Sequence, residues 1–165
     1  MIGWLAGYKS PNGIPVLVGL EDISLGNDDL KALCAAFGTT SASPMLHIKG
    51  HTPEGELPST QDAISTTIMP NDLLNLWQKF NTGINKIDLV AIGSPHASAA
   101  ECMKFLKLLL EKNQIVIVPT ILTVGRETLA KLSDHGDLKQ LTKLGVQVIP
   151  DICWCSITEP VFPSK

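Results

Sequence analysis

Apolar residues in this chain fall into short runs separated by stretches of helical period, and that alternation predicts most of its elements. Pro15-Val16-Leu17-Val18-Gly19 is a β-branched run bounded by turn residues and reads as a strand. Asn27-Asp28-Asp29 caps a helix through Leu30, Leu33, Cys34 and Phe37, ended by Gly38. Pro44-Met45-Leu46-His47-Ile48 predicts a second strand. Residues 49–69, rich in Gly, Pro, Ser and Thr, predict a long loop, and loops of that length in compact domains are usually functional or mobile. A helix then follows over Asn71 to Phe80, with Leu73, Leu74 and Trp77 on one face.

From residue 87 the rhythm becomes regular. Ile87 to Ile92 predicts a strand and Ser98 to Lys112 a helix. Gln114 to Val118 predicts a strand, and Glu127 to Leu132 lies in a helix. A short helix over Leu138 to Lys143 leads to the strand Val146 to Ile149. Strands of continuous apolar residues alternating with helices predict an α/β fold: an open, mostly parallel sheet with helices on both faces.

Composition narrows the function classes. A chain of 165 residues with 44% hydrophobic and 18% charged residues is globular rather than disordered. A net charge of −3 and a lone arginine, Arg126, give no electrostatic reason to bind nucleic acid or an anionic membrane. No apolar run approaches the roughly 20 residues that span a bilayer. The start, Met1-Ile2-Gly3-Trp4-Leu5, lacks the charged region and cleavage site of a signal peptide, so the expected location is cytoplasmic. There the four cysteines are expected to stay reduced or to bind metal. Cys34 and Cys102 fall inside helices and read as core residues. The apolar start, and Val161 and Phe162 near the end, give neither terminus the look of a domain boundary.

In open parallel sheets ligands bind at the carboxyl ends of the strands, a rule that selects four segments. In Gly93-Ser94-Pro95-His96-Ala97-Ser98, Ser98 and Glu101 form a capping box that aims helix N–H groups at the loop. A carboxylate or phosphate is favoured at such a helix end, and His96 just before it can move a proton; a plain capped turn with a surface histidine is the alternative. His47-Ile48-Lys49-Gly50-His51-Thr52-Pro53-Glu54 offers two imidazoles and an ammonium to an acidic substrate, and Thr52-Pro53-Glu54 resembles a helix start; a solvated loop is its alternative. Asp151-Ile152-Cys153-Trp154-Cys155 offers thiolates to iron or zinc, but its Cys-x-Cys spacing is not that of structural zinc, and two inert cysteines are equally compatible. Pro119-Thr120-Ile121-Leu122-Thr123 carries threonines that are either caps or substrate contacts. Spacing alone thus supports a site for a small anionic molecule and names no reaction.

The residues are also recognisable as a set. Ile14-Pro15-Val16, Asp29-Leu30-Lys31-Ala32-Leu33, Met45-Leu46-His47 and Thr52-Pro53-Glu54, followed by Gly93-x-Pro95-His96-x-Ser98-x-x-Glu101 and Asp151-x-Cys153, resemble the aconitase X family, in the family's order and over nearly the whole chain. The Cys153-Trp154-Cys155 version is most similar to fungal members.

The resemblance implies a hydro-lyase that dehydrates a small hydroxy acid. The family's activities are on cis-3-hydroxy-L-proline and on mevalonate 5-phosphate, and the first is the expectation here. It implies iron or a [2Fe-2S] cluster, with Cys153 as a ligand; Ser94 stands where some relatives have cysteine. It implies catalytic roles for His96, Ser98, His47 and Glu54 and substrate contacts for Ser94, Thr52 and Glu101. Residues 1–165 are then expected to be a partial catalytic domain, without the family's earlier part and its small swivelling domain. Another chain is expected to supply what is missing; otherwise residues 1–165 are left as a non-catalytic anion-binding or interaction domain.

Overall fold

The computed structural model describes residues 1–43, 45–56, 62–83 and 86–153. The chain divides into two compact units, residues 1–83 and 84–165. Each has its own parallel sheet, where the hydropathy pattern predicts a single one.

The first unit contains α1 (Ile2–Lys9), β1 (Val16–Leu17), α2 (Asn27–Phe37), β2 (His47–Ile48), a short 3-10 helix (Pro53–Glu56) and α3 (Pro70–Phe80). β1 and β2 pair in parallel, Val16 with His47 and Leu17 with Ile48. Their ladder is short because Gly19 and Gly50 just beyond it have φ of +96° and +77°, a conformation that cannot continue a strand. The apolar start of the chain is α1. Its Gly3 and Gly7 face the Leu33 and Phe37 carbonyls of α2, where a methyl group on either glycine would collide with backbone. Thr40 Oγ1 donates to the Trp4 carbonyl at 2.8 Å and ties the pair further.

α3 turns a different face inward from the one the sequence predicts. Leu76 is buried, whereas Leu74 and Trp77 are exposed. The cause is packing on α1: Asp72 pairs with Lys9 at 3.3 Å, Lys79 lies 4.9 Å from the centre of the Trp4 ring, and Phe80 meets Trp4 edge-on. Asp72, Leu76, Lys79 and Phe80 follow the i, i+4, i+7, i+8 spacing of one helix stripe. Cys34 is exposed on α2 and is not a core residue, because α2 meets α1 along the line of Leu33 and Phe37.

The second unit contains β3 (Val90–Ala97), α4 (Ala99–Lys112), β4 (Thr120–Val124), α5 (Arg126–Asp134), α6 (Asp137–Lys143) and β5 (Val146–Pro150). The sheet order is β3-β4-β5, all parallel. β4 is the middle strand and is buried throughout. The β-branched run Gln114 to Val118 is not a strand, and Ile115 and Ile117 are exposed. The Val116 N–H donates to the Leu144 carbonyl and the Val118 carbonyl accepts from Thr120, but the ladder begins only after Pro119. Two flanking strands, rather than β propensity, decide which apolar run becomes the ladder. Cys102 is fully buried in a core with Leu106, Leu122, Val124, Leu132, Leu141 and Val146, as its helical position predicts.

Candidate functional site

In the second unit the chemistry gathers where β3 departs from regular pairing. Ile92 is opposite Leu122, but Ala97 is opposite Val124, so five steps along β3 match two along β4. The surplus residues swell out as a bulge carrying Gly93, Ser94, Pro95 and His96, a device that re-aims side chains beside functional sites. Gly93 makes it feasible: its φ is +95°, and a methyl group there would strike the Thr123 carbonyl oxygen. The Ser94–Pro95 peptide bond is cis. The sequence predicts a loop over these residues; the structure keeps them within the strand.

The bulge places Ser94 and His96. The Ser94 hydroxyl lies 3.9 Å from the Cys153 thiol, although the two are 59 residues apart in sequence. His96 Nε2 is buried and makes no hydrogen bond among the described residues. A buried ring nitrogen without a partner is uncommon in a folded protein and marks a position where a ligand or water can satisfy it. Ser98 and Glu101, by contrast, serve each other. Ser98 Oγ accepts the Glu101 N–H at 3.1 Å, and the Glu101 carboxylate accepts the Ser98 N–H at 2.8 Å. The predicted capping box is therefore formed and fixes the start of α4 directly after the bulge.

Cys153 is positioned from the other side of the sheet. Asp151 follows β5 in a left-handed conformation, φ +59°, and its N–H donates to the Val124 carbonyl at 2.9 Å. Its carboxylate takes the Arg126 N–H at the start of α5 at 3.3 Å and pairs with the Arg126 guanidinium. The Arg126 hydrogen bond is the main cause holding the Asp151 carboxyl below the usual carboxylate range, and the field of His96 adds a smaller part. No sequence signal identifies this clamp, since Arg126 reads only as a lone cation and Asp151 only as part of the Asp-x-Cys segment.

Thr123 is the residue that spacing left undecided. It is neither a helix cap nor exposed to a substrate. Its side chain is buried, and its hydroxyl donates to the Gly93 carbonyl, with the carbonyls of Ile92 and Pro95 at 3.4 and 3.5 Å. Thr120 is buried as well and donates to the Val118 carbonyl at 2.9 Å.

In the first unit, His47 Nδ1 lies 3.8 Å from Glu54 Oε2, an imidazole and a carboxylate within reach of each other at the end of β2. Thr52 Oγ1 accepts the Ile48 N–H at 2.9 Å and lies 3.2 Å from the Ile48 carbonyl, so its hydroxyl closes the turn. His51 Nε2 is 2.8 Å from the Leu20 carbonyl. Pro53 opens a short 3-10 helix inside the stretch that the sequence predicts as a long loop.

The cofactor expectation meets a plain arithmetic of donors. Cys153 and Ser94 bring together one thiol and one hydroxyl. Among the described residues no three His, Cys, Asp or Glu side chains converge as a metal site, and Cys155 lies outside the described residues. Iron and small iron–sulfur clusters need more ligands than that. The described residues do not by themselves fit the iron centre that the resemblance implies. No helix among them is long and apolar enough to cross a membrane.

Comparison with known proteins agrees with the division into units. A model of the aconitase X second domain matches residues 1–78, and one of the aconitase X third domain matches residues 87–165. The cis-3-hydroxy-L-proline dehydratase of Hypocrea jecorina is 34% identical over 99% of this chain, and that of Pseudomonas aeruginosa is 32% identical over 98%. In both cases the match covers 29% of the relative. The phosphomevalonate dehydratase large subunit of Thermococcus kodakarensis is 27% identical over 93% of this chain and 39% of its own length. The chain thus spans well under half the length of these relatives. The crystal structure of Thermococcus kodakaraensis aconitase X in its holo form superposes with a TM-score of 0.82 at 27% identity, covering 92% of this chain and 39% of that one.

Proposed function

Because the chain belongs to the aconitase X family, as its second and third domains, we propose that it is the corresponding part of a dehydratase that eliminates water from cis-3-hydroxy-L-proline or a similar small hydroxy acid. The observation that carries this reading is the bulge in β3, which sets Ser94 beside Cys153 and leaves the buried Nε2 of His96 without a partner among the described residues. The identity of 34% and 32% to two cis-3-hydroxy-L-proline dehydratases, over nearly all of this chain, supports the substrate class.

Dehydration requires a proton to leave one carbon and a hydroxyl to leave its neighbour with a proton. His96 is the group proposed to hold or move a proton, at Nε2. A positioned imidazole contributes about 10²–10⁴-fold to such a step. Ser94 is proposed to contact the substrate. Ser98 and Glu101 act by fixing the α4 N-terminus beside the bulge, since their side chains are engaged with each other's backbone. In the first unit, Glu54 is proposed to orient His47 as a second acid–base pair, and Thr52 to fix the turn that carries them.

Cys153 is proposed to give one ligand to iron or a [2Fe-2S] cluster, with the remaining ligands from outside the described residues. A partner chain supplying the rest of the enzyme is proposed on the same shortage of donors among the described residues. It is in keeping with relatives that are large subunits of phosphomevalonate dehydratases. Those relatives also favour a second substrate, mevalonate 5-phosphate.

The deciding experiment assays the chain, alone and with candidate completing chains, on both substrates with iron quantified. The expected result is turnover of cis-3-hydroxy-L-proline, lost together with iron in Cys153→Ala. His96→Asn should keep the iron and lose at least about 100-fold in kcat. Preference for mevalonate 5-phosphate would move the assignment to the second substrate. Absence of iron and turnover in every combination would leave a non-catalytic domain.

A further inference from the structure

β4 contributes nothing to the chemistry proposed above, yet its Thr123 reaches across the ladder into the bulge that does. The hydroxyl is buried, has one proton to give, and gives it to the Gly93 carbonyl, while the carbonyls of Ile92 and Pro95 converge on the same oxygen. Three backbone carbonyls in and beside the bulge therefore face one side chain. The register explains why a tether is needed: between Ile92 and Ala97 the strand has more residues than its neighbour can pair, so the ladder itself does not determine the shape of Gly93 to His96. Gly93, whose backbone lies against the Thr123 carbonyl, meets the same residue from the other direction.

We propose that Thr123 is a positioning residue for the site: its buried hydroxyl holds the Gly93–His96 bulge in the shape that sets Ser94 opposite Cys153 and turns His96 inward. The consequence for catalysis rests on the function proposed above; the consequence for geometry does not. Thr123 touches no substrate and acts only through the bulge. A valine in its place keeps the volume and the β-branch while removing the donor.

The geometric arm uses the full chain carrying Ser94→Cys, which puts a second thiol where the Ser94 hydroxyl stands 3.9 Å from Cys153. Diamide oxidises the two thiols to a disulfide and is itself reduced to the hydrazine. The rate is followed by mass spectrometry of the linked peptides, with Cys153→Ser as the control. Cross-linking should be fast with Thr123 or Thr123→Ser and at least ten times slower with Thr123→Val, whose far-UV circular dichroism should match the parent. Equal rates in the valine and serine variants would overturn the proposal. If Thr123→Val is insoluble, Thr123→Ala is compared with Thr123→Ser, which differ only by the hydroxyl, and equal rates there overturn it equally.

The catalytic arm uses the assembled dehydratase with Ser94 intact. Thr123→Val should lower kcat at least tenfold with KM changed less than threefold, and Thr123→Ser should recover kcat to within about threefold. An unchanged kcat in the valine variant would overturn the catalytic consequence. A complex that turns over no hydroxy acid at all would sink the proposed function and leave the cross-linking result to decide the geometry.

Discussion

Gly93 shows how much one residue decides. Its positive φ and its approach to the Thr123 carbonyl exclude any side chain, and the bulge needs both. Gly93→Ala is expected to cost at least ~1–2 kcal/mol from the left-handed backbone alone, with the collision added to it. Urea unfolding of the variant checks this, and an unshifted midpoint would mean that the bulge relaxes without cost. At this scale the sequence was informative where the contact is local. Ser98 and Glu101, three residues apart, are legible as a capping box, and the structure forms it. Thr123 and Gly93, 30 residues apart, are not, because a hydroxyl's partner is fixed only when two strands align. For the same reason Arg126 and Asp151, 25 residues apart, carried no signal as a pair.

At the scale of elements, α3 is the instructive case. The Met69 N–H donates to Asp72 at 2.9 Å, capping the helix, and Lys9 reaches the same carboxylate from α1. The Met69 bond first and Lys9 second hold the Asp72 carboxyl below its ordinary value of 3.8. A carboxyl depressed in the folded state stabilises it above the unfolded pKa, and that contribution disappears as pH falls through the folded pKa. Asp72→Ala is therefore expected to lower the Tm of the chain at about pH 7, and the gap to the parent should narrow as pH falls below the carboxyl's ordinary value of 3.8. Thermal melts by circular dichroism above and below that value check it; a gap that persists in acid would assign the effect to packing. Helix existence is legible here from the apolar spacing, but the buried face is not. Leu73 is half-buried and Leu74 and Trp77 stay exposed, while Asp72, Lys79 and Phe80 meet α1 and Leu76 on the same stripe is buried.

At the scale of the whole molecule, the two units each hold a parallel sheet, and each corresponds to one domain model of the family. The described residues converge no three metal-ligating side chains. The isolated chain, incubated anaerobically with ferrous iron and sulfide and then desalted, is thus expected to retain well under one iron per chain, rising only when a completing chain is added. Stoichiometric iron on the isolated chain would show that its own residues suffice. The sequence by itself determined the class of fold, the capped start of α4 and the family, because capping, apolar period and an ordered set of motifs are written in neighbouring residues. Tertiary structure alone decided which β-branched run became the central strand, which face of α3 was covered, and that Ser94 would stand beside Cys153. Those outcomes depend on which elements lie next to one another. A buried hydroxyl or an unpaired run of backbone finds its partner only after the chain has brought distant segments together.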